Sequence, residues 1–158
     1  MIYFISDLHF GHRAICKYRP EFKDLQEHDE FIIENWNKKV NKKKYIVWVL
    51  GDMCIKNKEY DFNTMINRLN GNIQLITGNH DYLPVYNHPK IKVMNGLTSK
   101  YGFWLSHAPI HPAELRGKKN IHGHVHNKTI EDDRYVNVCV EQINYTPISL
   151  DEIRSKHG

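Results

Sequence analysis

Apolar and polar positions in this chain follow two periods, and the period changes at nearly every turn signal. Ile2–Ile5 is a short apolar run that reads as a strand. Residues 28–40 place Ile32, Ile33, Trp36 and Val40 on one side of an amphipathic helix. Tyr45–Leu50 is almost continuously apolar, the pattern of a strand covered on both faces. Helical spacing returns over 61–69 with Phe62, Met65, Ile66 and Leu69, and Gly71 follows as a stop signal before the strand Ile73–Ile76. Beyond residue 85 the pattern predicts mainly strands, at Ile91–Met94, Tyr101–Ser106, Lys119–His122, Lys128–Ile130 and Arg134–Val138. A last short helix opens at Ser149, with Glu152 at capping-box spacing. A βαβαβ first half followed by a β-rich second half predicts an α/β (α+β) fold with two packed sheets flanked by helices.

No repeat, low-complexity tract or Pro/Gly/Ser linker interrupts residues 1–158, so a single domain is expected. The longest apolar stretch, Tyr45–Leu50, is far too short to cross a bilayer, and the N-terminus lacks a basic segment before a long apolar one. Cys16, Cys54 and Cys139 are odd in number and form no CxxC pair, which fits reduced thiols and a cytoplasmic location. The net charge of +4 suits an anionic substrate without identifying one. Much of it comes from Lys38, Lys39, Lys42, Lys43 and Lys44, which read as a solvated helix end. Histidine says more: seven of the eleven fall between His80 and His126.

The chemistry-bearing residues follow the strands. Ile2–Ile5 runs into Asp7 and His9, Tyr45–Leu50 into Gly51-Asp52, and Ile73–Ile76 into Gly78-Asn79-His80-Asp81. Tyr101–Ser106 runs into His107, and Lys119–Ile121 into His122-Gly123-His124-Val125-His126. Strand ends are where ligand sites assemble in α/β sheets. Residues i and i+2 of an extended chain share a side, which pairs Asp7 with His9 and His124 with His126. Glycine before Asp52, Asn79 and His124 permits a tight turn and a close approach to an ion. Carboxylate, amide oxygen and imidazole without thiolate favour a first-row divalent ion over calcium or structural zinc.

Taken together, DLH at 7–9, GD at 51–52, GNHD at 78–81, His107 and GHVH at 123–126 resemble the calcineurin-like metallophosphoesterase superfamily, in that family's order. The opening DLHFGH is most similar to its small, capless phosphodiesterase-type members from bacteria and phages. The resemblance implies a four-layer αββα sandwich built on two mixed β-sheets. It also implies two divalent ions, manganese first, with iron, zinc, nickel or cobalt as substitutes. Asp7, His9 and His126 would hold one ion, Asn79, His107 and His124 the other, with Asp52 between them and His80 as the substrate-facing acid. Ions about 4 Å apart can hold a bridging hydroxide in line with phosphorus. Their charge exceeds that of Asp7 and Asp52, so the centre still attracts a phosphate.

Around this set, Asp81 and His122 read as supporting residues, and His12 and Arg13 as phosphate contacts. His28, His88, His111 and His157 read as surface residues, and Trp36, Trp48 and Trp104 as core. The family's protein phosphatases continue the second block with Asp-Arg and close the third as GNHE. Here Met53-Cys54-Ile55-Lys56 and GNHD stand instead, which disfavours a phosphoprotein substrate. A small phosphoester is expected, a nucleotide, cyclic nucleotide or RNA end, with a phosphomonoester as the alternative and no membrane partner. A reading of another class, a silent protein-binding scaffold, would call for a lost ligand, and the set is intact. The substrate-facing loops are expected at 10–27, 53–58, 82–90 and 108–118.

Overall fold

Alternation within the apolar runs explains the architecture of the computed structural model, which describes residues 1–82 and 87–158. In β2 (Ile46–Val49), Val47 and Val49 face one core while Trp48 faces another, and all three are fully buried. β1 (Ile2–Ile5) and β3 (Asn72–Ile76) divide in the same way, with Tyr3, Ile5, Ile73 and Leu75 on one side and Phe4 and Ile76 on the other. The first side packs beneath α2 (Leu25–Lys39) through Ile32, Ile33 and Trp36, and beneath α3 (Phe62–Asn67) through Phe62, Met65 and Ile66. The second packs against Phe103, Leu105, Ile121 and Val136 of the other sheet.

Completing the order, α1 (Ile15–Tyr18) lies between β1 and α2. After β3 come β4 (Ile91–Met94), β5 (Leu97–Lys100), β6 (Phe103–Ser106), β7 (Lys119–His122), β8 (Tyr135–Asn137), β9 (Ile148–Ser149) and α4 (Leu150–His157). One sheet runs β4-β3-β2-β1-β9, parallel except for β9. The other runs β5-β6-β7-β8, parallel except for β5. Both sheets are mixed, as expected. The outer face of the second sheet meets segment 108–118, where Trp104 Nε1 donates to Leu115 O (2.9 Å) and Tyr135 Oη to Ile110 O (2.6 Å). α4 packs Leu150 and Ile153 into the inter-sheet core, and its capping box between Ser149 and Glu152 is formed.

Three expectations are corrected. Lys128–Ile130 is not a strand: Lys128 N donates to Val125 O, and Asn137 Nδ2 binds the carbonyls of His126 and Lys128, which closes the segment into a turn. Tyr101 does not open β6; with φ of 57° at Tyr101 and 87° at Gly102, the pair forms the two-residue turn of the β5–β6 hairpin. β5 itself escaped prediction because Leu97-Thr98-Ser99-Lys100 has little apolar content, and pairing with β6 creates it. The third correction concerns buried histidines. His28 is fully buried and His88 is 6 % exposed, the latter with Nε2 3.1 Å from Asn67 Oδ1. His111 is exposed and His157 half-buried. Trp36 and Trp48 are core, whereas Trp104 is half-buried with the Lys118 ammonium 4.8 Å from its ring centre. Among the described residues no helix is long and apolar enough to cross a membrane.

Candidate metal centre

Parallel strands bring their C-terminal ends to one edge, and the two sheets are joined there. Ser6 N donates to Val138 O (2.9 Å) and Val140 N to Ser6 O (3.1 Å), so the chain leaving β1 bridges to the chain leaving β8. Segments following β1, β2, β3, β6 and β7 therefore converge on a single place. Backbone conformation turns their side chains inward: Asp7, His9, Asp52, His124 and His126 all have φ between 52° and 71°. Non-glycine residues avoid that region, at a cost of about 1–3 kcal/mol each, and hold it only where their surroundings enforce it. Here the enforcement is visible. Asp7 N donates to Gly51 O and His9 N to Asp52 O (3.0 Å each), which locks the first two loops together.

Two groups of side chains able to hold a metal ion result, Asp7 with His9 and His126, and Asp52 with His107 and His124. Within each, the donor atoms lie within 4.8 Å of one another. Asp7 Oδ1 stands 3.5 Å from His126 Nε2 and 3.8 Å from His9 Nε2. Asp52 Oδ2 stands 3.4 Å from His107 Nε2 and 3.8 Å from His9 Nε2, so one carboxylate faces both groups. Asn79 Oδ1 lies 2.9 Å from His107 Nε2, beside His124 Nδ1 at 3.2 Å from the same nitrogen.

The donor chemistry fits cations. Asp7 Oδ1 and His9 Nε2 are buried without a hydrogen-bond partner, an arrangement that costs stability unless something else satisfies them. His107 Nδ1 donates to Leu50 O (2.7 Å), leaving Nε2 to face three electron-rich atoms. A cation satisfies that convergence fully; a proton on His107 does so only in part. Burial alone would raise the Asp7 carboxyl, but His9, Ser6 and His107 hold it well below the usual carboxylate range. Its Oδ2 accepts from Ser6 Oγ (2.6 Å) and His124 N (2.8 Å), so only Oδ1 is free for an ion.

The preceding glycines serve this packing in two ways. Gly51 needs both its φ of +97° and the missing Cβ, which would strike the His107 ring, while in Gly78 and Gly123 a Cβ would collide with the carboxylates of Asp52 and Asp7.

His80 is exposed, its N–H donates to Asp52 Oδ1 (2.8 Å), and its ring centre lies 5.8 Å from that of His9. It lines a cleft of about 800 Å³ with His9, His12, Tyr18, His124 and Lys128. His12 thus stands in the cleft, 3.3 Å from His9 Nδ1. Arg13 does not line it and pairs with Glu59 at 2.6 Å. Asp81 touches no histidine; its carboxylate accepts from the backbone N–H groups of Gly78, Asp52 and Met53 at 2.7–2.8 Å. His122 donates from Nδ1 to Gly123 O, and it borders a separate cavity of about 540 Å³ rather than the cleft. Of the expected substrate loops, residues 83–86 lie outside the described residues.

Two groups here, buried Arg19 and half-buried Glu141, had no sequence signal. Arg19 follows the first block by ten positions, and Glu141 lies beyond the last block, in the 3-10 turn Val140–Gln142. Arg19 binds Glu141, and Glu141 Oε1 accepts from His126 Nδ1 at 3.0 Å. Burial would raise the Glu141 carboxyl, but His126 and Arg19 hold it below the usual range.

Comparison with known proteins places the chain among relatives of the same family and fold. The family model for calcineurin-like phosphoesterases matches residues 1–154. The uncharacterized protein MJ1445 of Methanocaldococcus jannaschii is 39% identical, over 96% of this chain and 88% of its own length. Gene 66 protein of Mycobacterium phage L5 is 28% identical over 81% of this chain and 78% of its own. Among solved structures, the protein of unknown function AQ665 from Aquifex aeolicus superposes with a TM-score of 0.76 at 28% identity, over 99% of this chain and 98% of that one. The nuclease MPE of Pseudomonas putida shares the fold with a TM-score of 0.55 at 19% identity, over 79% of this chain and 61% of that one.

Proposed function

The chain belongs to the calcineurin-like phosphoesterase family, and from that premise we propose that it is a two-metal phosphodiesterase acting on nucleotides or RNA ends. The carrying observation is Asp52, whose Oδ2 faces His9 on one side and His107 on the other. A carboxylate so placed can serve two ions at once. Asp7, His9 and His126 would hold one, and Asn79, His107 and His124 the other. Two such ions, manganese by preference, supply a hydroxide nucleophile and polarise the phosphoryl oxygens when bound.

The chain's own residues do the rest. His80 is exposed at the cleft with its backbone tied to Asp52, so its imidazole is free to give a proton to the leaving oxygen. Among the cleft's cations, Arg19 is committed to Glu141, and Lys128 is the other positive side chain. Modest positive charge of this kind suits a monoanionic diester better than a dianionic monoester. Tyr18 is 75 % exposed at the cleft wall, its ring 6.0 Å from that of His12 and inclined by 26°. That flat aromatic edge supports a substrate carrying a base.

A metal-by-substrate screen tests the reading. Bis-p-nitrophenyl phosphate and cyclic nucleotides should turn over with Mn²⁺ and stop with chelator, while a phosphoprotein should not react. The kcat/KM for the bis ester should exceed that for p-nitrophenyl phosphate; the reverse order would make the protein a phosphomonoesterase. Full activity in metal-free protein would end the two-metal mechanism.

A further inference from the structure

Arg19 is 2 % exposed, and each of its three guanidinium nitrogens makes a hydrogen bond. Nε donates to Glu141 Oε1 at 2.8 Å and Nη2 reaches the same oxygen at 2.7 Å. Nη2 also donates to Asp7 O (2.6 Å), and Nη1 to Leu8 O (3.2 Å) and His28 Nε2 (2.8 Å). One guanidinium thereby grips the backbone of the first metal loop and the carboxylate that holds His126. Behind it, His28 accepts at Nε2 and so donates from Nδ1 to Asp29 Oδ1 (2.7 Å). Asp29 Oδ2 is fixed by Gly11 N (3.0 Å) and Tyr60 Oη (2.6 Å). The chain of bonds runs from α2 to the metal loop with no break.

The branches of this network that reach the candidate centre end on the same group. Asp7 is held through its carbonyl, Leu8 beside it likewise, and His126 through Nδ1, which leaves Nε2 aimed at Asp7 Oδ1. None ends on Asp52, Asn79, His107 or His124. We propose that Arg19 and Glu141 are positioning residues that set the affinity of the Asp7–His9–His126 group for its ion, without acting on the other group. The inference rests on the two-ion reading above. A carboxylate behind a metal-binding imidazole fixes its tautomer and ring orientation, and loss of such a partner typically lowers affinity by about 10–100-fold.

Calorimetric titration of metal-free protein with Mn²⁺ tests this without turnover. The His124→Ala protein isolates the first group, and the His126→Ala protein isolates the second. Adding Glu141→Gln, which keeps the shape and removes the charge, should weaken Mn²⁺ about 10–100-fold in the first background and leave the second unchanged. Arg19→Lys, which keeps the charge and loses the fork, should act in the same direction. Equal weakening in both backgrounds, together with a lowered melting temperature of the metal-free chain, would mean a merely structural role and overturn the proposal. So would unchanged affinity in the first background. Uptake of fewer than two ions by the unmodified protein would instead remove the two-ion reading on which it rests.

Discussion

The two halves of the metal centre are built by different means. Around Asp7, His9 and His126 the support comes from side chains, with Ser6, Arg19 and Glu141 each bonded to a member of the group or its loop. Asp7 and His9 are almost wholly buried. Around Asp52, His107 and His124 the bonds run to backbone groups, Leu50 O on His107 and the three amides gathered by the Asp81 carboxylate. Here Asn79, His80 and His124 are exposed. A half enclosed by side chains suits a permanently held ion, whereas a half open to the cleft suits one that meets substrate. Asp52 is the residue the two halves share.

That shared position is the place to break the contrast. Asp52→Asn removes the negative charge from between two cations, and both halves should fail together. Activity should fall below detection, and Mn²⁺ uptake by the metal-free chain should drop at both groups. Retention of two ions at near-normal affinity would show that Asp52 does not join the halves.

Next in size is His80, which belongs to the open half by position yet makes no side-chain bond to it. His80→Gln should lower kcat by about 10²–10⁴-fold, the usual contribution of a general acid, with metal content unchanged. Loss should be smaller for a p-nitrophenolate leaving group than for a ribose alkoxide, which needs the proton. If metal uptake falls in step with rate, His80 organises the open half and the acid role goes.

This division also marks what a reader of the sequence can see. Residues that converge on the candidate centre announce themselves, because each of five strand ends runs into Asp, Asn or His, three of them directly after a glycine. Strands buried on both faces are equally plain, since β2 has no polar position to hide. What supports the site is far less legible. Arg19 and Glu141 meet across 122 positions of sequence, and no local pattern links them. His28 looked like a surface residue because its helical neighbours are polar; burial follows from Arg19 and Asp29 closing around it and from the Phe22 ring 5.1 Å away. Asp81 read only as a supporting residue, and the fold shows which amides it gathers. β5 and the turn at Lys128–Ile130 depend likewise on partners far along the chain.

Asp81 sharpens the comparison from the backbone side. Asp81→Ala leaves the amides of Gly78, Asp52 and Met53 without their acceptor, and each unpaired donor costs about 1–3 kcal/mol where water cannot replace it. The Asp52 and Asn79 loops should loosen, weakening Mn²⁺ at the open half by about 10–100-fold in the His126→Ala background. The enclosed half, probed in the His124→Ala background, should change less. An equal loss at both would show that the two supports are not separable.

The smallest effect is expected where neither half is touched, and it separates stability from site geometry. Glu152 closes the capping box of α4, accepting from Ser149 N (2.8 Å), and pairs with Lys39 Nζ at 2.8 Å. Burial would raise its carboxyl, but Lys39 and Ser149 bring it from 4.5 down to about 2. A depressed carboxyl stabilises the fold when ionised, so its contribution is full above about pH 4.5 and disappears as the pH falls through 2. The group is more than a third exposed, so solvent screens the ion pair. Glu152→Gln keeps an acceptor for Ser149 N and removes only the charge, so it should lower stability by about 0.2–1 kcal/mol at neutral pH, the range of an exposed ion pair. The difference from the unmodified chain should shrink on acidification toward pH 2. Mn²⁺ affinity at both halves should stay as it was, because α4 packs into the inter-sheet core through Leu150 and Ile153 and makes no bond to either group. Weaker metal binding in Glu152→Gln would mean that the site responds to general loosening of the fold, and the contrast between its two halves would then need a control for stability at every step.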